Sequence, residues 1–335
     1  MRTVKLWQAI NEALAEELER DERVFLIGEN VAGGGGTFGI TRGLLDRFGA
    51  ERVRDTPISE QAIVGAAVGA ALVGLRPVVE ILMIDFLGIA SDQLVNQAAK
   101  QRFFSGGASD VPMVLRCGIG TAFGMGAHHA QSFEGWYASV PGLTVCWPST
   151  PRDAKGLLKT AIRSDGPVLF LESLGRLTTR GELGDDPDDV VPFGKAVVRR
   201  EGSDATIVCY GFVVQTALEA AEALAAHGIA AEVIDLRTLQ PWDTDLVLAS
   251  VAKTSRCVVV SEAMGPYGPA AEIAATVSTL GFDDLDAPVV RVTSAFLPAP
   301  QVRAYDAWRI PSAQDVADAV TRQLNVPSIA LEVLA

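Results

Sequence analysis

After Ser59 the chain carries one acidic residue, Glu60, and then a run that reads Ala-Ile-Val-Gly-Ala-Ala-Val-Gly-Ala-Ala-Leu-Val-Gly-Leu from Ala62 to Leu75. Pro57 disfavours helix at the residue before it and Ser59 is a good N-cap, so a helix is predicted from Glu60 onward. A helix that is apolar all round is a buried helix. The carboxyl at its mouth then has two readings. It complements the positive end of the helix dipole, or it is held out of water to share a proton with a bound heterocycle.

On both sides of this stretch, segments with strand and helix patterning alternate. Leu6, Ile10, Ala13, Leu14 and Leu18 recur at helical spacing within residues 3–20. Short apolar strands are predicted at Val24–Ile27, Pro77–Met83, Val111–Cys117, Leu143–Cys146 and Pro167–Glu172. After Ile84-Asp85-Phe86 a helix is predicted through Ala99, and another from Pro151 to Ser164. The second half repeats the alternation, with strands at Thr206–Tyr210, Ala231–Asp235, Cys257–Val260 and Val289–Val292, and a closing helix at Ser312–Leu324. Such alternation predicts an α/β fold with parallel sheets and ligands at the strand ends. The 335 residues suffice for two cores. The first domain is placed at 1–184, a solvated acidic linker around Asp185-Asp186-Pro187-Asp188-Asp189 at 185–200, and the second domain at 201–335, where few polar residues mark strand ends.

Two glycine-rich loops invite a phosphate reading. Gly33-Gly34-Gly35-Gly36 lacks the Gly-Lys-Ser/Thr of a P-loop, and the turn from Gly118 to Gly126, which carries Phe123, lacks Gly-x-Gly-x-x-Gly. Each is read as a loop at a strand end, and a nicotinamide dinucleotide is not supported. His128 and His129 follow the second loop. As neighbours on a helix they would point about 100° apart, so they make no i, i+4 metal pair. A structural histidine is the commoner outcome, yet active-site groups concentrate in such loops.

The charge balance narrows the partners. With 28 Lys and Arg against 41 Asp and Glu, a net charge of −13, the chain offers no basic cluster for phosphates, so neither nucleic acid nor an anionic membrane is expected. Four scattered cysteines and three histidines give no zinc spacing, and the thiols read as core groups in a reducing cytoplasm. The start lacks the apolar core of a signal peptide, and the longest apolar run is too short to span a bilayer.

Taken together, the motifs resemble a known family. They are Gln8-Ala9-Ile10-Asn11-Glu12-Ala13-Leu14, Ile27-Gly28-Glu29-Asn30-Val31, Asp55-Thr56-Pro57-Ile58-Ser59-Glu60, Gly74-Leu75-Arg76-Pro77, Asp92-Gln93-Leu94-Val95-Asn96, Ala127 to Gln131, Pro141-Gly142-Leu143 and Val233-Ile234-Asp235-Leu236-Arg237-Thr238-Leu239. Nearly end to end, the chain is similar to the beta subunit of the thiamine-diphosphate-dependent E1 component of 2-oxo acid dehydrogenase complexes, in the transketolase-like superfamily. The resemblance implies a pyrimidine-binding domain followed by a transketolase C-terminal-like domain for assembly and partner docking. It implies that Glu60 bonds ring nitrogen N1′ of the cofactor, favouring the imino tautomer that deprotonates thiazolium C2, so that a 2-oxo acid can lose carbon dioxide. Phe86 matches an aromatic that stacks on the pyrimidine, and Ile58 and Leu82 match apolar walls. Glu29 lies beside the cofactor, and His129 assists acyl transfer to a lipoyl group.

The family also carries a monovalent cation, K+, at carbonyls matching Met113, Ala161, Ile162 and Gly166, with an aspartate where this chain has Ser164. Two further departures, Ser261 in place of a frequent histidine and a shortened Leu297–Pro300, are expected where partners dock. The chain has no Gly-Asp-Gly with a downstream asparagine, the motif that holds Mg2+ and diphosphate. An alpha subunit is therefore expected to hold them, in an α2β2 tetramer that serves a lipoyl-bearing E2 acyltransferase and acts on a 2-oxo acid or acetoin. Gly65, Gly69 and Gly74 would permit close helix approach at such an interface, or within the monomer. Two alternatives share the fold: the C-terminal subunit of a split transketolase-like enzyme, and a non-catalytic scaffold.

Overall fold

The computed structural model describes all residues except 121–123, 303–304, 306–307 and 332–335, so Phe123 lies outside the described residues. Two compact units are present: Met1–Ile119 with Trp136–Phe193, and Gly120–Gly135 with Gly194–Ala335. The second glycine loop and its histidines thus group with the C-terminal half, although they lie within the stretch 1–184.

In the first unit the strands are β1 (Arg2–Lys5), β2 (Val24–Gly28), β3 (Val53–Asp55), β4 (Arg76–Met83), β5 (Val114–Ile119), β6 (Thr144–Cys146), β7 (Val168–Ser173) and β8 (Arg180–Leu183). A parallel sheet runs in the order β6-β7-β5-β4-β2-β3. Its central strands β5 and β7 are buried along their whole length, as expected where helices cover both faces. On one face, helix Leu6–Arg20 lies against helix Pro151–Arg163. Leu6, Ile10, Leu14 and Leu18 are buried, each contributing about 1.5–3 kcal/mol. Polar ends are paired across the same contact: Glu16 accepts from Lys155 at 2.6 Å and Lys159 at 2.8 Å, and Glu17 from Arg163 at 2.6 Å.

Several sequence expectations shift here. The first helix begins at Leu6 because Arg2–Lys5 pairs antiparallel with Arg180–Leu183. β9 (Val197–Arg200) takes the C-terminal end of the stretch 185–200 read as a solvated connector, and Val191 within it is buried. Charged residues, nearly all of them Arg or Lys, hid these short strands, whose partners are remote in sequence. The segment after Ile84–Ser91 continues as a π-helix, Asp92–Ala98.

The second unit holds β9, β10 (Ala205–Cys209), β11 (Ala231–Asp235), β12 (Thr238–Gln240), β13 (Cys257–Met264) and β14 (Val290–Ser294). Its sheet runs β14-β13-β10-β11-β9, with only β9 antiparallel. Helices Val214–Ala225 and Ala313–Leu324 cover one face through Val214, Ala217, Ala221, Val316 and Val320. Ser312 and Asp315 form the predicted start of the last helix as a reciprocal capping box. All four cysteines are free and buried.

Candidate active site

The predicted central helix spans Glu60–Leu72. Ser59 occupies the N-cap position, but its hydroxyl donates to the Pro57 carbonyl at 3.1 Å and caps nothing. The helix is also not covered all round. Ile63, Val64, Ala67, Val68 and Ala71 are buried, while Ala62, Ala66, Gly69 and Leu72 face outward, and Val73 beyond them is 80% exposed. A Cβ added at Gly65 would meet Gln93 at 3.3 Å, whereas one at Gly69 or Gly74 would meet nothing. Small side chains thus serve a surface here, not only the core.

Glu60 is 8% exposed at the mouth of this helix, and its carboxyl hydrogen-bonds to no other described residue. Beside it stands Glu29, 7% exposed, which follows β2. Gly28 ends that strand where a Cβ would come within 2.6 Å of the Glu80 carbonyl oxygen, so only glycine lets the chain pass this close to β4. Glu29 accepts the Ser59 backbone N–H, and its Oε1 is buried with no partner among the described residues. Burial raises its pKa above the ordinary carboxylate value, and the negative charges of Glu60 and Glu80 push the same way.

Register explains why these acids meet. β2, β4 and β5 align Gly28 with Glu80 and Glu80 with Arg116. Arg116, 1% exposed, donates Nη1 to Glu80 at 2.8 Å and grips Glu172 with Nε at 2.7 Å and Nη2 at 3.0 Å. One guanidinium therefore balances two buried carboxylates on neighbouring strands. Burial raises the Glu172 pKa despite Arg116, with Glu80 adding to the rise.

The remaining first-unit positions lie around the same strand ends. Leu82 on β4 and Phe86 in helix Ile84–Ser91 are half-buried, and Ile58 is 80% exposed. The Gly33–Gly36 loop is held by the chain's own anion: Asp55 accepts the N–H of Ala32 at 2.6 Å and of Gly33 at 3.0 Å. Those two donors are therefore not available to a phosphate. His128 and His129 lie in a turn, not a helix, closed by His129 N–H to the Gly126 carbonyl at 3.2 Å. His129 is half-buried and belongs to the second unit.

The second unit also holds polar groups at its strand ends, which the sequence reading had as few. Tyr210 follows β10, and its hydroxyl lies 2.6 Å from Ser261 Oγ and donates to Glu134 Oε1 at 3.2 Å. Ser261 is fully buried and accepts the Ala263 N–H at 3.0 Å, so this departure from the family is a core hydrogen bond and not a docking position. Glu262 lies under Gly120, where a Cβ would meet its carboxyl oxygens at 2.6 Å. A polar pair inside an apolar strand, Ser261-Glu262 in β13, was the signal available in sequence.

Glu134 is fully buried, and burial, aided by the charge of Glu262, raises its pKa to about 8 from an ordinary 4.5. A carboxyl raised in this way contributes stability that is complete below pH 4.5 and is lost as the pH climbs through 8. Glu134→Gln keeps an acceptor for Tyr210 but cannot ionise. Its melting temperature is expected to fall less than that of the parent between pH 5 and pH 8.5, in buffered thermal scans. At the alkaline end the variant should be the more stable by a few kcal/mol, at about 1.4 kcal/mol per pKa unit. Parallel curves for the two proteins would contradict a neutral Glu134.

Comparison with known proteins adds a family context. Residues 2–179 match the transketolase pyrimidine binding domain and residues 194–316 the transketolase C-terminal domain. The chain is 42% identical to the beta subunit of acetoin:2,6-dichlorophenolindophenol oxidoreductase of Bacillus subtilis, covering 98% of this chain and 99% of that one. It is 44% identical to the mitochondrial pyruvate dehydrogenase E1 beta subunit of Saccharomyces cerevisiae, covering 97% and 90%. Among solved structures it is similar to a split gene transketolase, an inactive beta4 tetramer, with a TM-score of 0.79, 25% identity and coverage of 96% and 99%.

Proposed function

Because the chain belongs to the family of E1 beta subunits built from transketolase pyrimidine-binding and C-terminal domains, we propose that it works as the beta half of a 2-oxo acid or acetoin dehydrogenase. The observation that carries this reading is Glu60, a nearly buried carboxyl with no hydrogen-bond partner among the described residues, at the mouth of an apolar helix, beside the Glu29 oxygen that likewise has none among them. Both features fit a nitrogen heterocycle that brings its own hydrogen-bonding edge.

When bound, thiamine diphosphate supplies the electron sink that lets a 2-oxo substrate lose or cleave its carbon–carbon bond. The chain's own contribution is to hold a proton. Glu60 presents a carboxyl oxygen where N1′ of the aminopyrimidine would lie, and Glu29 stands next to it with a pKa raised by burial and by Glu60 itself. A carboxyl raised by burial, as Glu29 is, takes up a proton more readily than an ordinary one, which suits a pocket that keeps a transferable proton beside the ring. Leu82 and Phe86 would exclude water from the ring, and Ile58, exposed here, would become a wall once a partner closes over it. His129 would serve the later transfer of the acyl group to a lipoyl-bearing E2.

An alpha subunit completes the reading. The sequence lacks the Gly-Asp-Gly signature, so we assign Mg2+ and the diphosphate to that partner, in an α2β2 assembly. The outward face of helix Glu60–Leu72, with Gly69 open and Leu72 and Val73 exposed, suits close packing against another helix. Among the described residues no helix is long and apolar enough to cross a membrane. The four buried free thiols suit a reducing compartment, and we place the enzyme in the cytoplasm.

Purification of this chain from its source under native conditions, followed by mass spectrometry and a thiamine diphosphate assay, tests the assembly. A stoichiometric companion bearing Gly-Asp-Gly and a downstream asparagine is expected, with cofactor retained by the pair and by neither chain alone. Tight cofactor binding by the lone chain would refute the divided site. The split transketolase is separated by a second assay, since reductive acylation of a lipoyl domain is expected only of an E1.

A further inference from the structure

Helix Pro151–Arg163 ends near the start of β4, an interior strand of the first sheet, and its last carbonyls meet a cationic side chain. Arg76, the first residue of β4, donates Nη1 to the Ile162 carbonyl at 3.0 Å and to the Ser164 carbonyl at 2.8 Å. Its Nη2 bonds Asp165 Oδ1 at 2.6 Å, and its Nε lies 3.9 Å from Asp21 Oδ2. The Arg76 side chain is only 13% exposed. The Ile162 carbonyl is one of those that, with Met113, Ala161 and Gly166, the family resemblance assigns to K+, and Ser164 stands where that site has an aspartate.

We propose that, with Ser164 in place of the family's aspartate, the guanidinium of Arg76 is the sole cation at this position, so that the protein requires no monovalent metal ion there. The terminal carbonyls of a helix lack intrahelical donors and carry the negative end of its dipole, so a positive charge is favoured against them. Arg76 supplies one in a covalently tethered form with planar N–H donors, at no cost in binding entropy.

Two more carbonyls of the donor set are also engaged. The Met113 carbonyl accepts the Val168 N–H at 3.0 Å, and the Ala161 carbonyl accepts the Ser164 N–H at 3.2 Å. Ser164 Oγ accepts the Gly166 N–H at 3.3 Å, so the residue standing where the family has an aspartate brings no negative charge and uses its oxygen locally. A potassium ion would have to share carbonyl oxygens with a guanidinium, and like charges on one oxygen repel at close range. The carboxylates that would offset a second cation, Asp165 and Asp21, already face Arg76 and Arg23.

The test uses the protein as purified, with whatever subunit accompanies it. Thermal unfolding is followed while KCl replaces choline chloride stepwise at constant ionic strength, and rubidium retention is measured by equilibrium dialysis. The expected result is an unchanged melting temperature and no retained rubidium. In Arg76→Gln the melting temperature should drop by several degrees in choline chloride and be partly restored by KCl but not by LiCl. A saturable, potassium-specific stabilisation of the parent protein, or rubidium held at one ion per chain, would overturn the proposal. So would an Arg76→Gln variant as stable as the parent in choline chloride. If that variant does not fold, the parent's salt titration and dialysis decide alone.

Discussion

Glu60→Gln in the assembled enzyme is expected to cut decarboxylation by about 10²–10⁴-fold, the range for losing a positioned proton-transfer group. Glutamine matches the size of glutamate and keeps an acceptor at the helix mouth, but it has no proton to share with a ring nitrogen. The helix should be unaffected: Ile63, Val64, Ala67, Val68 and Ala71 hold it to the sheet, and Glu60 hydrogen-bonds to no other described residue. The check is turnover of a 2-oxo acid by the variant reconstituted with its partner, alongside circular dichroism and thermal unfolding. Turnover within a few-fold of the parent would sink the assigned role. Lost turnover with lost folding would mean that the carboxyl is structural, as in the dipole reading.

The largest effect on stability is expected from Arg116→Met. Removing the guanidinium leaves Glu80 and Glu172 buried with no counter-charge, and breaking a buried ion pair from one side costs about 3–5 kcal/mol. Methionine fills much of the same volume, so a cavity is not the cause of the loss. Because burial already raises the Glu172 pKa, part of the cost will be met by proton uptake. Stability of the variant should therefore improve as the pH falls toward 5, opposite to the acid weakening of ordinary paired carboxylates. Adding Glu80→Gln and Glu172→Gln should recover most of the loss. Urea unfolding at several pH values measures all three, and a loss under about 1 kcal/mol for Arg116→Met would show that the triad is not what neutralises this layer.

Local pattern went a long way in this chain. The central helix, the alternating strands and the closing helix with its capping box are written in short-range periodicity and cap residues, and the structure places them within a few residues of the expected bounds. Glu60 could be singled out because a lone acid before an apolar run is visible without knowing the fold. The four cysteines were legible as core groups for the same reason.

What sequence left undecided depends on register and distance. Glu80, Arg116 and Glu172 lie on three strands separated by long connections, and only the alignment of Glu80 with Arg116 and of β5 with β7 makes them a triad. Tyr210 meets Glu134, which opens a short helix, and Ser261 in β13, though they lie 76 and 51 residues away in the chain. The strand pair Arg2–Lys5 and Arg180–Leu183 escaped notice because neither partner is apolar enough to be recognised by itself. Even the central helix was read as buried all round, since composition reports that side chains are apolar but not which of them a single chain leaves for a partner. Periodicity is a property of neighbours in sequence and can be read there. The pairing of charges, the burial that shifts a carboxyl, and the choice of Arg76 as counter-charge for a helix end are properties of neighbours in space, and only tertiary structure decides them.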